Sequence, residues 1–204
     1  MIGIQRLMTV QHLKFSVIVL LLSFLSGCAS LMPQGTSKEF QQQLSKLNHW
    51  QARGKLSVIS PDSSNTGYLT WKQDHQAYDL YIAGPFGAGA SRLEGNQHQA
   101  NLLLPGWKEP QHAASAEELM LIHTGWNFPV SQIRYWVKGQ PIPKSKAKTQ
   151  FNNSGLLETL EQHGWTIRYS RYKEQNGYWL PSLIRISGYD FRFTFAIKEW
   201  TLYD

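Results

Sequence analysis

The strongest constraint on the fold is a strict alternation of side chains near the C terminus. In residues 191–198, large apolar side chains occupy every second position, at Phe191, Phe193, Phe195 and Ile197. The positions between them hold polar or small side chains, at Arg192, Thr194, Ala196 and Lys198. Because successive side chains of a strand point to opposite faces, this spacing predicts a β-strand with one apolar face. Such a strand needs neighbours in a sheet, and the apolar face of that sheet needs a cover.

Similar short segments recur along the chain between turn-forming residues. They predict further strands at residues 50–59, 68–72, 78–83, 91–94, 99–104, 156–161, 165–172 and 183–187. Gly95-Asn96 and His163-Gly164 predict tight turns between neighbouring strands. The apolar spacing of residues 156–162 is also compatible with a helix, but the turn and the alternation that follow favour a strand.

Three segments have helical spacing. Residues 37–47 place Phe40, Leu44 and Leu47 on one face, with Thr36 or Ser37 as the cap. A second helix follows the capping-box pattern at residues 115–118. A third, capped by Ser131 and ended by Gly139, has the inner face Ile133, Trp136 and Val137.

The order of these elements predicts the fold class. A helix, a run of strands, two helices and more strands indicate an α+β protein that is mostly antiparallel β. A strongly curved sheet of this kind forms an incomplete, half-open β-barrel, and the helices cover its apolar concave face. The predicted architecture can therefore enclose an apolar cavity.

The N-terminal segment has the features of a bacterial lipoprotein signal. Basic residues precede an apolar run that is too short to span a membrane permanently, and Leu-Ser-Gly then leads to Cys28, the only cysteine. We expect a signal peptide at residues 1–27, an acylated Cys28 with a tether at residues 28–36, and a single domain at residues 37–204. The alternative is an ordinary secretory signal followed by a chance cysteine.

The composition and the residue after Cys28 bear on location and partners. Ala29 stands where Asp would favour retention in the inner membrane, so we expect a lipid anchor in the outer membrane, facing the periplasm. Removing a signal with two basic residues from the 20 Lys and Arg leaves 18, against 14 Asp and Glu. This mildly basic chain does not indicate a nucleic-acid partner.

Motifs for enzymatic chemistry are missing from the sequence. Residues 89–93 lack the second glycine of a nucleophile elbow, and Arg92 replaces the last glycine of a dinucleotide-binding pattern. There is no P-loop and no His-Glu-x-x-His motif, and the histidines are scattered. We therefore expect no catalytic residues, no cofactor and no metal.

Several segments together resemble the LolB family of outer-membrane lipoproteins. Residues 50–54 (Trp-Gln-Ala-Arg-Gly) are similar to the opening strand of the family, and residues 84–87 (Gly-Pro-Phe-Gly) to its loop, in which Asn or Gly is followed by Pro, an apolar residue and Gly. Residues 126–130 with Ile133, Trp136 and Gly139 resemble its helical segment, and Pro181 falls among the late strands in the family order. The family loop often has Leu where this chain has Phe86.

The resemblance implies a fold and a function. The fold is an incomplete antiparallel barrel with helices as a lid, shared with the soluble carrier LolA. The implied partners are a LolA-like periplasmic carrier, the acyl chains of client lipoproteins and the outer-membrane bilayer, and we expect a monomer. In this role the protein accepts acylated lipoproteins from the carrier and inserts them into the membrane.

The resemblance also suggests site residues. The loop Gly84, Pro85, Phe86 and Gly87 is expected to reach the bilayer, although Phe86 could instead fold back onto the sheet. Candidate residues for the apolar cavity, each of which could equally be plain core, are Trp50, Leu56, Tyr68, Leu80, Ile82, Trp136, Phe193 and Phe195.

Two other classes of function stay open at this point. An outer-membrane lipoprotein could act as a scaffold in envelope assembly, and an apolar cavity would argue against that role. An envelope enzyme would need ionisable groups that converge in a polar cleft. The segment with Lys144, Lys146 and Lys148 is either a solvated loop or a contact with anionic lipid or an acidic partner.

Overall fold

The computed structural model describes residue 33 and residues 35–125 and 129–203. The chain from residue 34 onward forms one compact unit. None of the helices in these described ranges has the length and apolar character needed to cross a membrane.

The described residues form an antiparallel sheet of eleven strands. The strands are β1 (His49–Ile59), β2 (Ser64–Asp74), β3 (Ala77–Ala83), β4 (Ser91–Gly95), β5 (Ala100–Leu103), β6 (Gln111–Ala113), β7 (Lys148–Phe151), β8 (Leu157–Gln162), β9 (Trp165–Gln175), β10 (Tyr178–Gly188) and β11 (Phe191–Leu202). Their order is β6-β5-β4-β3-β2-β1-β11-β10-β9-β8-β7, so two meanders join where β1 pairs with β11. The edge strands β6 and β7 do not pair with each other, and the predicted open barrel is confirmed.

The predicted strands are present, and the structure also contains two strands that the sequence pattern does not predict. β6 and β7 have the sequences QHA and KTQF, which lack alternation, and none of their residues is buried. The segment expected to be only a lysine-containing loop therefore continues into an edge strand. Residues 156–162 are strand β8 rather than a helix, as the turn after them indicated.

Helix α1 (Ser37–Lys46) packs against strand β10 and contributes Leu44 to the main core. Thr36 and Glu39 form a reciprocal capping box at its start, and its buried face consists of Phe40 and Leu44. The last carbonyl groups of α1 are bound by Lys138, whose Nζ donates to Leu44 O at 3.0 Å and Leu47 O at 2.6 Å. Burial, reinforced by the nearby Arg134, lowers the pKa of the Lys138 ammonium to about 8.

Helices α2 (Ala116–Thr124) and α3 (Val130–Trp136) interrupt the sheet between β6 and β7. Ser115 caps α2 by accepting a hydrogen bond from Glu118 N, and Gly125 ends it with a φ of 71°. The prediction that Ser131 caps α3 is wrong, because α3 begins at Val130 and Pro129 precedes it.

The hydrogen-bond donors at the start of α3 are instead bound by a side chain of α2. Both the backbone N and the Oγ of Ser131 donate to Glu117 Oε1, at 2.8 and 2.6 Å. A carboxylate from one helix therefore accepts from the first turn of the next, where negative charge is favoured. This contact fixes the two helices to each other.

A bulge explains the glycine after Arg53. The β1–β11 register shifts between Arg53 and Gly54, and Lys198 is the additional residue on β11. A Cβ on Gly54 would lie 2.1 Å from Ala196 O, so only glycine allows the two backbones to approach this closely. Beyond the bulge the inward side of β11 passes from Ile197 to Trp200.

The antiparallel order gives the sheet two distinct ends. At one end, strands β1, β3, β5, β8 and β10 finish, and we call this the Phe86 end. The connecting segments at this end are residues 60–63, 84–90, 104–110, 163–164 and 189–190. The opposite, far end holds the other turns and α1, since Gln43 Nε2 donates to Gly177 O in the β9–β10 turn. A cluster of Trp50, Trp71 and Trp200 lies in the core, with ring centroids 5.3 Å apart in both contacts of Trp50.

Candidate functional site

An apolar cavity of about 410 Å³ lies between the concave face of the sheet and helices α2 and α3. Its sheet wall comes from β1 to β5 and from β10 and β11, and its helix wall includes Met120, Val130 and Ile133. Because inward side chains alternate along each strand, adjacent strands supply a continuous apolar surface. The volume falls within the range of about 300–1,000 Å³ that is common for small-molecule sites.

Among the described residues that line the cavity, Arg92 is the only one with a charged side chain, and that side chain lies on the outer face of β4 because the next residue, Leu93, is the buried, inward one. Arg92 binds Asp79 in a bidentate pair, with its Nη2 2.9 Å from Oδ2, and its Nε lies 3.2 Å from Glu94 Oε2. The hydrogen bond to Asp79 raises the pKa of the Arg92 guanidinium further. The charge is therefore compensated by its own neighbours, and the rest of the lining suits an uncharged, apolar ligand.

Five of the eight candidate cavity residues border this space. They are Leu56, Leu80, Ile82, Phe193 and Phe195. They belong to three different strands, β1, β3 and β11, which the sheet order brings to one concave surface. The cavity also contains residues that the candidate set omitted, including Val58, Leu69, Trp71, Ile184 and Ile186. Alternation in β1, β2 and β10 was the available signal for those residues.

Three candidates lie elsewhere, and each has a physical reason. Trp50 is 1% exposed and packs on two other indoles in the core. Trp136 is fully buried, and its Nε1 donates to Gln162 Oε1 at 3.0 Å. Tyr68 is 60% exposed, because Leu69 and Trp71 occupy the inward positions of β2 and leave Tyr68 on the outer face.

The lid formed by α2 and α3 rests on two patches of core. α2 buries Ala116 and Leu119 against Leu93 and Leu102, in a cluster that also contains Val130. α3 buries Ile133 in the main core. Among the hydrogen bonds described for these two helices, only those between Glu117 and Ser131 link α2 to α3.

Phe86 projects from a tight loop at the rim of the cavity. Pro85–Gly87 forms a single 3₁₀ turn, closed by hydrogen bonds from Gly84 N to Ala88 O at 2.7 Å and from Ala88 N to Pro85 O at 3.2 Å. The Phe86 side chain is fully exposed, and its backbone is left-handed at φ 56° and ψ 24°. The alternative in which Phe86 folds back onto the sheet is therefore excluded.

The loop is continuous with the cavity. Gly84, Ala88 and Gly89 line the cavity on either side of the projecting phenylalanine. A left-handed conformation costs a non-glycine residue about 1–2 kcal/mol. The loop thus holds a large apolar side chain in water and in a disfavoured backbone conformation, which is typical of a functional position.

Several predicted features lie outside the described residues. These are the signal peptide at residues 1–27, the acylation site Cys28, most of the tether at residues 28–36, and residues 126–128 of the family-like segment. Within the described ranges, no group of three or more His, Asp or Glu side chains is placed to hold a metal ion.

The fold and the site together define a class of protein: an open antiparallel half-barrel that holds an apolar cavity under a helical lid. The family model described as "Outer membrane lipoprotein LolB" matches residues 48–200. The chain is 42% identical over 188 residues to the outer-membrane lipoprotein LolB of Pseudomonas paraeruginosa, covering 88% of this chain and 91% of that one. It is 37% identical over 197 residues to the LolB of Pseudomonas fluorescens, covering 92% and 96%.

The protein belongs to the LolB family. Among solved structures, it resembles a LolA superfamily protein from Nitrosomonas europaea with a TM-score of 0.54, at 9% identity, over 84% of this chain and 95% of that one. The resemblance to the LolA superfamily is one of fold, as the sequence motifs predict.

Proposed function

We propose that this protein is an outer-membrane lipoprotein that accepts acylated lipoproteins from a soluble, LolA-like periplasmic carrier and inserts them into the outer membrane. The observation that carries the proposal is the apolar cavity beneath α2 and α3 in a member of the LolB family. Such a cavity serves a lipophilic ligand, whereas a scaffold has no use for one.

The physical task explains why a cavity is needed. Removing acyl chains from water is worth about 0.8 kcal/mol per CH₂, so a lipoprotein cannot cross an aqueous space unaided. The chains must move from one apolar environment to a better one. A cavity of about 410 Å³ is at the lower end of the usual range, so we expect α2 and α3 to move outward when acyl chains enter.

The remaining parts of the proposal concern attachment and release. Cys28 is the acylated anchor that follows removal of residues 1–27, and mass spectrometry of the mature protein should give a chain that begins at an acylated Cys28. Phe86 enters the bilayer and guides release, because this fully exposed phenylalanine lies between Gly84 and Ala88, which line the cavity. No bond is made or broken, and differences in affinity drive the transfer.

Ligand displacement tests the cavity directly. A hydrophobic dye should bind the protein at one site and be displaced by an acylated peptide. The same peptide without its acyl chain is the matched control, and equal displacement by that control would refute acyl-chain recognition.

Depletion in the cell tests the role. Loss of the protein should cause other lipoproteins to accumulate in the periplasm as complexes with the soluble carrier. If client lipoproteins reach the outer membrane at the normal rate, the protein is not their receptor.

A further inference from the structure

A lysine-rich loop lies at the same end of the sheet as Phe86. We define the lysine loop as residues 141–148, which lead from α3 to the start of β7. β7 pairs with β8 in antiparallel fashion, and Lys148 lies opposite Glu161, close to the end of β8. The loop therefore lies at the Phe86 end, beside the turn at residues 163–164.

The lysine loop is held in place. Gln162 is 3% exposed, and its Oε1 accepts from Ile142 N at 2.9 Å while its Nε2 donates to Ile142 O at 3.2 Å. Further along the loop, Ser145 Oγ and His163 Nε2 are hydrogen-bonded at 2.7 Å. These contacts fix both halves of the loop to the end of β8.

The fixed loop displays positive charge to solvent. Lys144 and Lys146 are exposed, and neither forms an ion pair with any residue of the described part of the chain. Lys148 is 85% exposed and lies 3.3 Å from Glu161, which neutralises that acidic neighbour. Two uncompensated ammonium groups therefore project from the Phe86 end.

The Phe86 loop and the lysine loop are close enough to contact one flat surface at the same time. Along the sheet, β3, which leads into the Phe86 loop, and β8, which holds the lysine loop, are six strands apart. At about 4.8 Å per strand, this is roughly 29 Å along the sheet, and the curvature brings the two features closer. An apolar tip and a cationic loop at one end match the apolar interior and the anionic phosphates of a bilayer.

We propose that Lys144 and Lys146 form a second membrane contact, which binds anionic phospholipid headgroups and orients the Phe86 end toward the bilayer. This inference rests on the proposed function, because it assumes that the Phe86 end faces a membrane. An acidic protein surface is the competing occupant of the same charges. A membrane is favoured because the lysines share their end of the sheet with a fully exposed phenylalanine.

The test uses the full mature, acylated protein in vesicles. Ala147→Cys, labelled with a fluorophore, reports its distance from a labelled headgroup by energy transfer. We expect higher transfer in vesicles of phosphatidylethanolamine with phosphatidylglycerol than in phosphatidylethanolamine alone. Each lysine near an anionic surface raises the equilibrium constant for docking about five-fold. The double variant Lys144→Gln with Lys146→Gln should therefore lower the docked-to-undocked ratio about thirty-fold.

A control pair keeps the net charge equal. Lys38 and Lys173 are exposed residues toward the far end, and their replacement by Gln should leave energy transfer unchanged. The proposal is overturned if transfer does not depend on phosphatidylglycerol, or if the control pair has the same effect as the loop pair. It is also overturned if the loop pair weakens only the binding of the carrier protein, which would assign the lysines to an acidic partner.

The two proposals fail in different ways. Dye displacement by an acylated peptide is measured on the same samples. If displacement is normal and transfer is insensitive to the lysines, only the membrane contact is wrong. If the dye is not displaced, the proposed function itself is wrong.

Discussion

Replacing Phe86 with Glu should separate release into the membrane from acceptance of the client. The side chain is fully exposed and packs on nothing, so the free energy of unfolding should change by less than about 0.5 kcal/mol. Transfer of a phenylalanine side chain from water to an apolar medium is worth about 1.5–3 kcal/mol. Losing it should therefore slow release into vesicles by about ten- to a hundred-fold.

The assay follows the two steps separately. Acylated client is moved first from the carrier to the variant and then from the variant to liposomes. The cavity is lined by other residues, so the first step should proceed at the wild-type rate. Phe86→Leu is the matched control, since it keeps an apolar tip and should retain most of the release activity.

Stability measurements give an independent check of the same reasoning. Phe86→Gly removes a left-handed backbone cost of about 1–2 kcal/mol, partly offset by the flexibility of glycine, so this variant should be as stable as wild type or slightly more so. It should nonetheless release clients slowly. If both transfer steps of Phe86→Glu match wild type, or if that variant loses more than about 2 kcal/mol of stability, Phe86 is not a membrane contact.

Three further changes test the fold and the lid. Gly54→Ala should cost about 1–3 kcal/mol in chemical denaturation because of the 2.1 Å approach to the facing backbone, whereas its exposed neighbour Lys55→Ala should cost little. Glu117→Ala should make the lid open about ten-fold more readily, seen as faster amide exchange in α3, whereas Glu118→Ala should not. The pKa of Lys138 is about 8 when folded and higher when unfolded, so the unfolded chain binds more protons between about pH 8 and 10 and stability should rise with pH there. Lys138→Met should abolish that rise, and a wild-type stability that falls across this range would contradict the assignment.

Local sequence patterns were sufficient for most elements of the sheet. The strict alternation in β11 corresponds to a strand whose inward residues Phe193, Phe195 and Ile197 are buried. The turn at residues 163–164 correctly indicated that β8 is a strand. These features depend on a residue and its near neighbours in the chain, which is why a single sequence reveals them.

Edge strands and the start of α3 needed the folded structure. β6 and β7 are short and polar, and they are strands only because β5 and β8 offer unpaired backbone groups. The first turn of α3 is satisfied by Glu117, fourteen residues from Ser131, so no local capping pattern could identify it. In both cases the deciding hydrogen bonds join segments that the chain brings together only on folding.

The alternating strands, the helical segments, the Gly-Pro-Phe-Gly loop and the resemblance to a family can all be identified from the sequence, because each depends on residues that are neighbours in the chain. Which apolar side chains surround empty space and which are core depends on the folded arrangement. Leu56 and Trp50 both lie on the inward side of β1, yet Leu56 borders the cavity while Trp50 packs against two other tryptophans. The difference depends on which side chains of the opposite strands and helices pack against each residue. Alternation along a strand shows which face a residue occupies, but it does not show what packs against that face.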